Sequence, residues 1–336
     1  MATLPGPQPD PGLIFETFNA HQRTAALKAA IELGLFRAAG QGDATAASLA
    51  ARCEASERGV RILCDFLTID GFLEKRGDAY SLAPVSAVFL DPRSPAYLGS
   101  LSKFLASPFS LEHYQHLAET VRKGGETAQM SSVRRENEEW VEFARSMAPM
   151  MAPVAEAIAR QTAAANPVKV LDIAAGHGLF GIAIARQHAD AHVYALDWPV
   201  VLEVARENAA KADLGDRYHT IEGSAFDAEF GSDYDLVLIT NFLHHFDPPT
   251  CETFLRKVHA ALKPGGRAVT LEMVPNEDRI SPPIAAAFSL IMLATTERGD
   301  AYTFAELDRM LRNAGFERNH FHPLPVGPEA LVVSEK

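Results

Sequence analysis

Two carboxylates, a glycine turn and a tandem histidine are the residues best placed to do chemistry in this sequence. The run Val168-Lys-Val-Leu-Asp-Ile-Ala-Ala-Gly-His-Gly-Leu-Phe-Gly181 passes from a β-branched stretch, through glycines, into an apolar segment from Leu179 to Ala185. That order spells strand, tight turn and helix N-terminus, the opening of a nucleotide-type binding unit. Read as Gly176, Gly178 and Gly181 it fits a dinucleotide; read as Asp172, Gly176 and Gly178 it fits S-adenosylmethionine. A pyrophosphate on a helix N-terminus wants bare N–H groups and no anion beside it. An ammonium and a sulfonium favour a nearby carboxylate. Asp172 therefore tilts the reading toward a methyl donor.

Further candidates fall at the ends of later strands, where ligands of open α/β sheets bind. Asp197, at the tip of the second strand, is placed to take both hydroxyls of a ribose, although an Asp also caps helices well. Trp198 beside it faces either the adenosine or the sheet edge. In Glu222-Gly-Ser-Ala-Phe-Asp227, Ser224 can bond an adenine amine and Phe226 can stack on the ring, with Ala225 between them. Ordinary loop filling is the alternative. Asn241 opens the segment Asn241-Phe-Leu-His-His-Phe-Asp-Pro-Pro249 after the fourth strand. His244 and His245 there sit where an acceptor nucleophile would be activated, and Asp247 reads as a helix cap. Phe143, Met147, Phe242, Phe288 and Met292 are candidate walls for an acceptor ring, against the default that such stripes are core.

The elements that must position these residues alternate from Val168 onward, which indicates a parallel sheet. Strands are expected at Lys169–Ile173, His192–Leu196, Tyr218–Ile221, Leu236–Thr240 and Arg267–Met273. Helices are expected at Leu179–Gln187, Val200–Ala212, Cys251–Leu262 and Phe304–Asn313, with 316–321 and 331–333 as a closing antiparallel pair. The fold class is α/β, Rossmann-like, behind a mostly helical front domain. In that domain a helix from Phe15 to Leu35 stops at Gly34, and Thr45–Ala51 forms another. A third is capped by Ser56, buries Val60, Ile62, Leu63, Phe66, Leu67 and Ile69, and stops at Gly71. Phe72–Leu82 follows as a two-stranded wing turning at Gly77-Asp78, a winged-helix pattern. The organisation is an arm over 1–12, a winged-helix-like dimerisation domain over 13–105, a helical connector over 106–161 and an α/β domain with the S-adenosylmethionine-type loop over 162–336. The connector carries a charged run (Arg134, Arg135, Glu136, Glu138, Glu139), read as a solvated face.

With 336 residues, 31 Lys and Arg against 43 Asp and Glu give a formal charge of -12. That acidity argues against a nucleic-acid partner, which needs a basic face. Arg58 and Arg61 on the would-be recognition helix are offset by Glu57 and Asp65. The three cysteines, Cys53, Cys64 and Cys251, have no metal-type spacing, so no metal site is expected. No apolar run reaches membrane-spanning length, and Met1–Pro11 lacks the marks of a signal peptide. A cytoplasmic protein without membrane association is the expectation.

Taken together, the chain resembles the class I S-adenosylmethionine-dependent methyltransferases, and over nearly its whole length the small-molecule O-methyltransferases that include the hydroxyindole and caffeate enzymes. The matching landmarks are Asp172, Gly176, Gly178, Asp197, Leu243-His-His-Phe246, Leu262-Lys-Pro-Gly-Gly-Arg-Ala-Val269 and the insertion running to Asn313-Ala-Gly-Phe316. The resemblance implies S-adenosylmethionine as donor, S-adenosylhomocysteine as product, a small aromatic acceptor and a homodimer. It makes His244 the general base, with His245 standing where Asp is usual. It also places an orienting Glu after the insertion helix, where this chain has Ala301, and an adenine-binding carboxylate where this chain has Ser224. Rival readings are methylation of carbon or nitrogen, a ligand-sensing winged-helix regulator, and an NAD-dependent oxidoreductase.

Overall fold

The computed structural model describes residues 10–126, 139–162 and 166–336. Arg134, Arg135, Glu136 and Glu138 of the charged run, and most of the N-terminal arm, lie outside the described residues. The chain divides between Pro108 and Phe109 into two compact units.

The first unit contains α1 (Gly12–Glu32), α2 (Leu35–Ala39), β1 (Ala44–Thr45), α3 (Ala46–Arg52), α4 (Glu57–Ile69), β2 (Leu73–Arg76), β3 (Ala79–Leu82), α5 (Pro84–Phe89) and α6 (Ser102–Leu105). The long first helix ends earlier than its apolar pattern predicts. Gly34 takes a φ of +67°, which ends the helix and starts α2 at Leu35. Ser56 caps α4 through Gly59 N–H at 3.1 Å. Its buried stripe is Val60, Cys64 and Leu67, whereas Ile62 and Ile69 are 43% and 81% exposed. The predicted face was too wide: residues 60, 64 and 67 share one side of a helix, and 62 and 69 fall on another. The wing forms as β2 and β3, paired antiparallel, with β1 on the outer side of β3.

The second unit adds α7 (Pro108–Gln115), α8 (Leu117–Lys123), α9 (Glu139–Thr162), β4 (Lys169–Ile173), α10 (Leu179–Gln187), β5 (His192–Asp197), α11 (Pro199–Lys211), β6 (Tyr218–Glu222) and β7 (Tyr234–Thr240). It continues with α12 (Pro248–Ala261), β8 (Leu262–Glu272), α13 (Pro283–Thr295), α14 (Phe304–Asn313), β9 (Arg318–Pro323) and β10 (Ala330–Glu335). The seven strands lie in the order β6-β5-β4-β7-β8-β10-β9. The first five are parallel, and β10 runs antiparallel to both β8 and β9. Beginning five residues earlier than Arg267, β8 takes in the Lys263-Pro-Gly-Gly266 stretch that the sequence suggested as a turn.

Alternation along each strand splits the core between the two faces. Val170, Leu236 and Leu238 pack with Ile158 of α9 and Ile184 of α10. Leu171, Ile173, Val237 and Ile239 pack on the other face with Phe254 and Leu255 of α12 and Leu311 of α14. Strand order reverses between β4 and β7, so the carboxyl ends there border the crevice such sheets use for ligands. Asp172, Asp197, Asn241 and Glu272 all stand at or beside those ends. Among the described residues, no helix is long and apolar enough to cross a membrane.

Candidate active site

Asp172, near the end of β4, reaches the start of α10. Its Oδ2 accepts Gly181 N–H at 3.0 Å, and its Oδ1 is buried without a partner. A side chain at Gly181 would collide with Val193 and this carboxylate, so the third glycine serves close helix–strand packing. Burial, with Asp197 nearby, pushes the Asp172 carboxyl up to about 7. Asp197 accepts Gly176 N–H at 2.8 Å and Trp198 N–H at 2.7 Å, tying the tip of β5 to the glycine turn. Burial raises it to about 6, against the pull of those two N–H groups.

Within the turn, Gly178 has a φ of +74°, and a Cβ there would lie 2.5 Å from the Tyr218 hydroxyl. His177 between the glycines is buried, which pushes its imidazole down to about 4 and keeps it neutral. Its Nδ1 accepts Leu179 N–H at 3.2 Å, capping α10 where Gly178 offers no side chain. Neither His177 nor Tyr218 was anticipated. A half-paired buried carboxylate, an acid at the second strand tip and a side-chain-free turn together fit a cationic nucleoside such as S-adenosylmethionine.

The loop after β6 follows directly, with Gly223 N–H on the Asp197 carbonyl at 3.0 Å. Ser224 turns its hydroxyl into its own loop, accepting Phe226 N–H at 3.2 Å. Ala225 is buried, and Phe226 packs with Phe242, Phe246 and Phe254. An unanticipated residue holds this loop: Lys257 of α12 donates to the carbonyls of Ala225, Phe226 and Ala228 at 3.2, 2.9 and 2.7 Å. Trp198 packs with Trp140, Val141 and Ala144 of α9 and with Val201 and Val204. Asn241 adopts a φ of +52° and bonds the Leu271 carbonyl at 2.8 Å, linking the ends of β7 and β8.

His244 lies in the short turn Leu243–His245. Its Nδ1 is 2.5 Å from Oε2 of Glu272, the last residue of β8. The other oxygen, Oε1, accepts Phe242 N–H at 3.1 Å and Leu243 N–H at 2.8 Å. One buried carboxylate thus holds both the ring and the loop that carries it. A carboxylate accepts, so in the neutral ring Nδ1 carries the proton and the lone pair is on Nε2. Ala301 is buried and brings no carboxylate; the carboxylate on the His244 ring is that of Glu272 at the end of β8. Glu272 stands at the tip of its strand, as Asp197 does, but the sequence gives no sign that it reaches His244.

The His245 ring lies 4.4 Å from that of His244, tilted by 53°, and 5.7 Å from Trp140. Its Nδ1 is buried without a partner, and burial followed by the neighbouring His244 drives its imidazole well below the ordinary range. Phe288 sets an edge against His244 at 4.9 Å, and Phe143 meets Trp140 at 5.3 Å. Met292 is buried on α13. Met147 packs on the core under α9, and Phe242 joins the phenylalanine cluster beside Phe226. Among the described residues, no three His, Cys, Asp or Glu side chains are grouped to hold a metal.

Residues 114–317 match the O-methyltransferase domain family, and residues 15–92 match the O-methyltransferase dimerisation domain. The 3-hydroxy-5-methyl-1-naphthoate 3-O-methyltransferase of Streptomyces sahachiroi is 31% identical over 309 residues, covering 91% of this chain and 89% of that protein. A crystal structure of a putative O-methyltransferase from Nostoc punctiforme superposes with a TM-score of 0.96 at 49% identity, covering 98% and 100% of the two chains. PigF, an S-adenosyl-L-methionine-dependent methyl transferase of a Serratia species, has been solved with S-adenosylhomocysteine. That structure gives a TM-score of 0.86 at 26% identity, covering 98% of this chain and 100% of that one. The β4 glycine turn, the seven-stranded sheet and these matches agree: the chain belongs to the S-adenosylmethionine-dependent O-methyltransferase family.

Proposed function

We propose that the protein methylates a hydroxyl group of a small aromatic acceptor, with His244 as general base and Glu272 as the carboxylate that orients it. The observation that carries this reading is the 2.5 Å contact between His244 Nδ1 and Glu272, which leaves Nε2 as the proton acceptor. When bound, the donor supplies an electrophilic methyl group on a sulfonium. Asp172 faces the cationic end of that molecule, Asp197 takes the ribose hydroxyls, and the Ser224–Phe226 loop borders the adenine. Asn241 and Trp198 support these contacts from either side. Phe288 and the Trp140–Phe143 pair supply flat apolar surface beside the histidines, which suits an aromatic ring. His245, held neutral, lies beside the base as a second polar contact for the acceptor. The naphthoate named for the S. sahachiroi relative is an acceptor of this kind.

Phenols have pKa values near 10 and free imidazoles near 6.5, so complete proton transfer ahead of methylation would be uphill by about 5 kcal/mol. The proton therefore passes from the hydroxyl to Nε2 as the oxygen takes the methyl group and sulfur keeps the bonding pair. Holding oxygen, carbon and sulfur in line contributes acceleration of its own. The dimerisation domain supports a homodimer as the working form.

His244→Ala should lower kcat on a phenolic acceptor by about 10² to 10⁴ with the donor KM unchanged. Glu272→Gln should lower it by a comparable factor, since the amide oxygen stays on the Phe242 and Leu243 N–H groups and the NH2 then donates to Nδ1, which puts the ring proton on Nε2. Near-wild-type turnover by His244→Ala in a methyl-transfer assay would sink the assignment.

A further inference from the structure

We propose that the turn from Thr296 to Gly299 positions the base, with Gly299 as the residue whose missing side chain lets it seat against His244. This rests on the reading of His244 as base. A Cβ at Gly299 would lie 2.1 Å from the His244 carbonyl oxygen and 3.0 Å from the His245 carbonyl carbon. Its backbone is not left-handed, so space alone demands glycine here. The His244 side chain is fixed by Glu272, and its backbone by this contact.

The turn itself is stiff. Buried Thr296 donates its hydroxyl to the Met292 carbonyl at 2.6 Å and accepts Gly299 N–H at 2.8 Å. Its outer side is closed in the same manner: a Cβ on Gly125 would lie 2.0 Å from the Glu297 carbonyl, and Glu126 N–H bonds the Thr296 carbonyl at 2.8 Å. Two further contacts grip the base loop from the same segment. Arg298 pairs with Asp247 at 3.6 Å, and the Tyr302 hydroxyl bonds the Phe246 carbonyl. The segment containing Ala301 thus holds the base loop through the Arg298 and Tyr302 side chains and the bare backbone of Gly299. Because α13 carries Phe288 and Met292 and runs directly into the turn, one continuous segment borders both the proposed acceptor wall and the base loop.

Gly299→Ala tests this. Packed atoms cannot stay 2.1 Å apart, so His244 or the turn must shift by about 1 Å, a displacement that can cost about 10² in rate. Relief is available without unfolding, because Gly299 also borders a groove of about 640 Å³ beside Leu290, Leu293 and Arg298. The expected result is kcat lowered about 10²-fold with the donor KM and S-adenosylhomocysteine thermal shift unchanged. The far-downfield proton resonance of the His244–Glu272 hydrogen bond should be lost or moved. Thr296→Val, which loosens the turn without adding bulk, should give the same signature more weakly. Added to His244→Ala, Gly299→Ala should cost nothing further. Wild-type kcat with an unmoved resonance in Gly299→Ala would overturn the proposal, as would loss of donor binding together with kcat. Turnover retained by His244→Ala alone would overturn the base reading, while the resonance would still report whether Gly299 sets the ring.

Discussion

Burying Asp172 and Asp197 close together leaves the donor side short of positive charge. Both carboxyls are pushed up by burial, to about 7 and about 6 from an ordinary 3.8. Their protonated forms therefore stabilise the unliganded fold fully below pH 3.8, and that contribution is lost as pH rises through 6 to 7. His177 acts in the opposite sense: held down to about 4, it contributes fully above pH 6.5 and is lost as pH falls through 4. A sulfonium and an ammonium favour an ionised Asp172, and ribose hydroxyls donate to an ionised Asp197, so donor binding should expel protons below pH 7. S-adenosylmethionine affinity is expected to rise about tenfold per pH unit from 5.5 toward 7 for each coupled proton, and S-adenosylhomocysteine affinity less steeply. Calorimetry in buffers of different ionisation enthalpy measures this, and proton-independent binding at pH 6 would contradict it.

Elements reach the site through their ends and through single long side chains. Lys257 does so from α12, saturating three carbonyls of the loop after β6 and lying 4.4 Å over the Phe230 ring. Charge-assisted bonds of this kind are the stronger ones, and breaking them frees the loop without touching the histidines. Lys257→Met should therefore raise donor KM about tenfold and leave kcat at saturating donor near wild type. A fall in kcat at unchanged donor KM would show that the lysine serves the acceptor side instead.

On the scale of the whole molecule, the first unit carries an exposed apolar surface on α1. Leu13, Ile14, Phe15 and Phe18 of α1 are 74%, 58%, 64% and 77% exposed, a grouping that a lone soluble chain would not be expected to leave in water. The dimerisation-domain match begins at residue 15. Light scattering should give twice the chain mass for the wild type and the single-chain mass for a Phe15→Glu, Phe18→Glu double variant. A wild-type monomer at micromolar concentration would end the homodimer proposal.

Local signals were legible because neighbours in sequence generate them. The β4 strand, α10 and α14 are found with the residue bounds their apolar periods and flanking turns predict. Asp172 and Asp197 stand at strand ends, and Gly176 and Gly178 in the turn after β4, where a local reading of the sequence places them. What sequence could not rank was which of two equivalent apolar faces is buried, as Ile62 and Ile69 show, since both obey the helical period and only a packing partner breaks the tie. The sequence by itself determined the family fold, the methyl donor and the histidine pair. Only the tertiary structure decided that Glu272, 28 residues beyond His244, is the acid on its ring. It also decided that Lys257 holds the loop after β6 and that Gly299 abuts the base. These are contacts between elements brought together by folding, and no spacing along the chain encodes them.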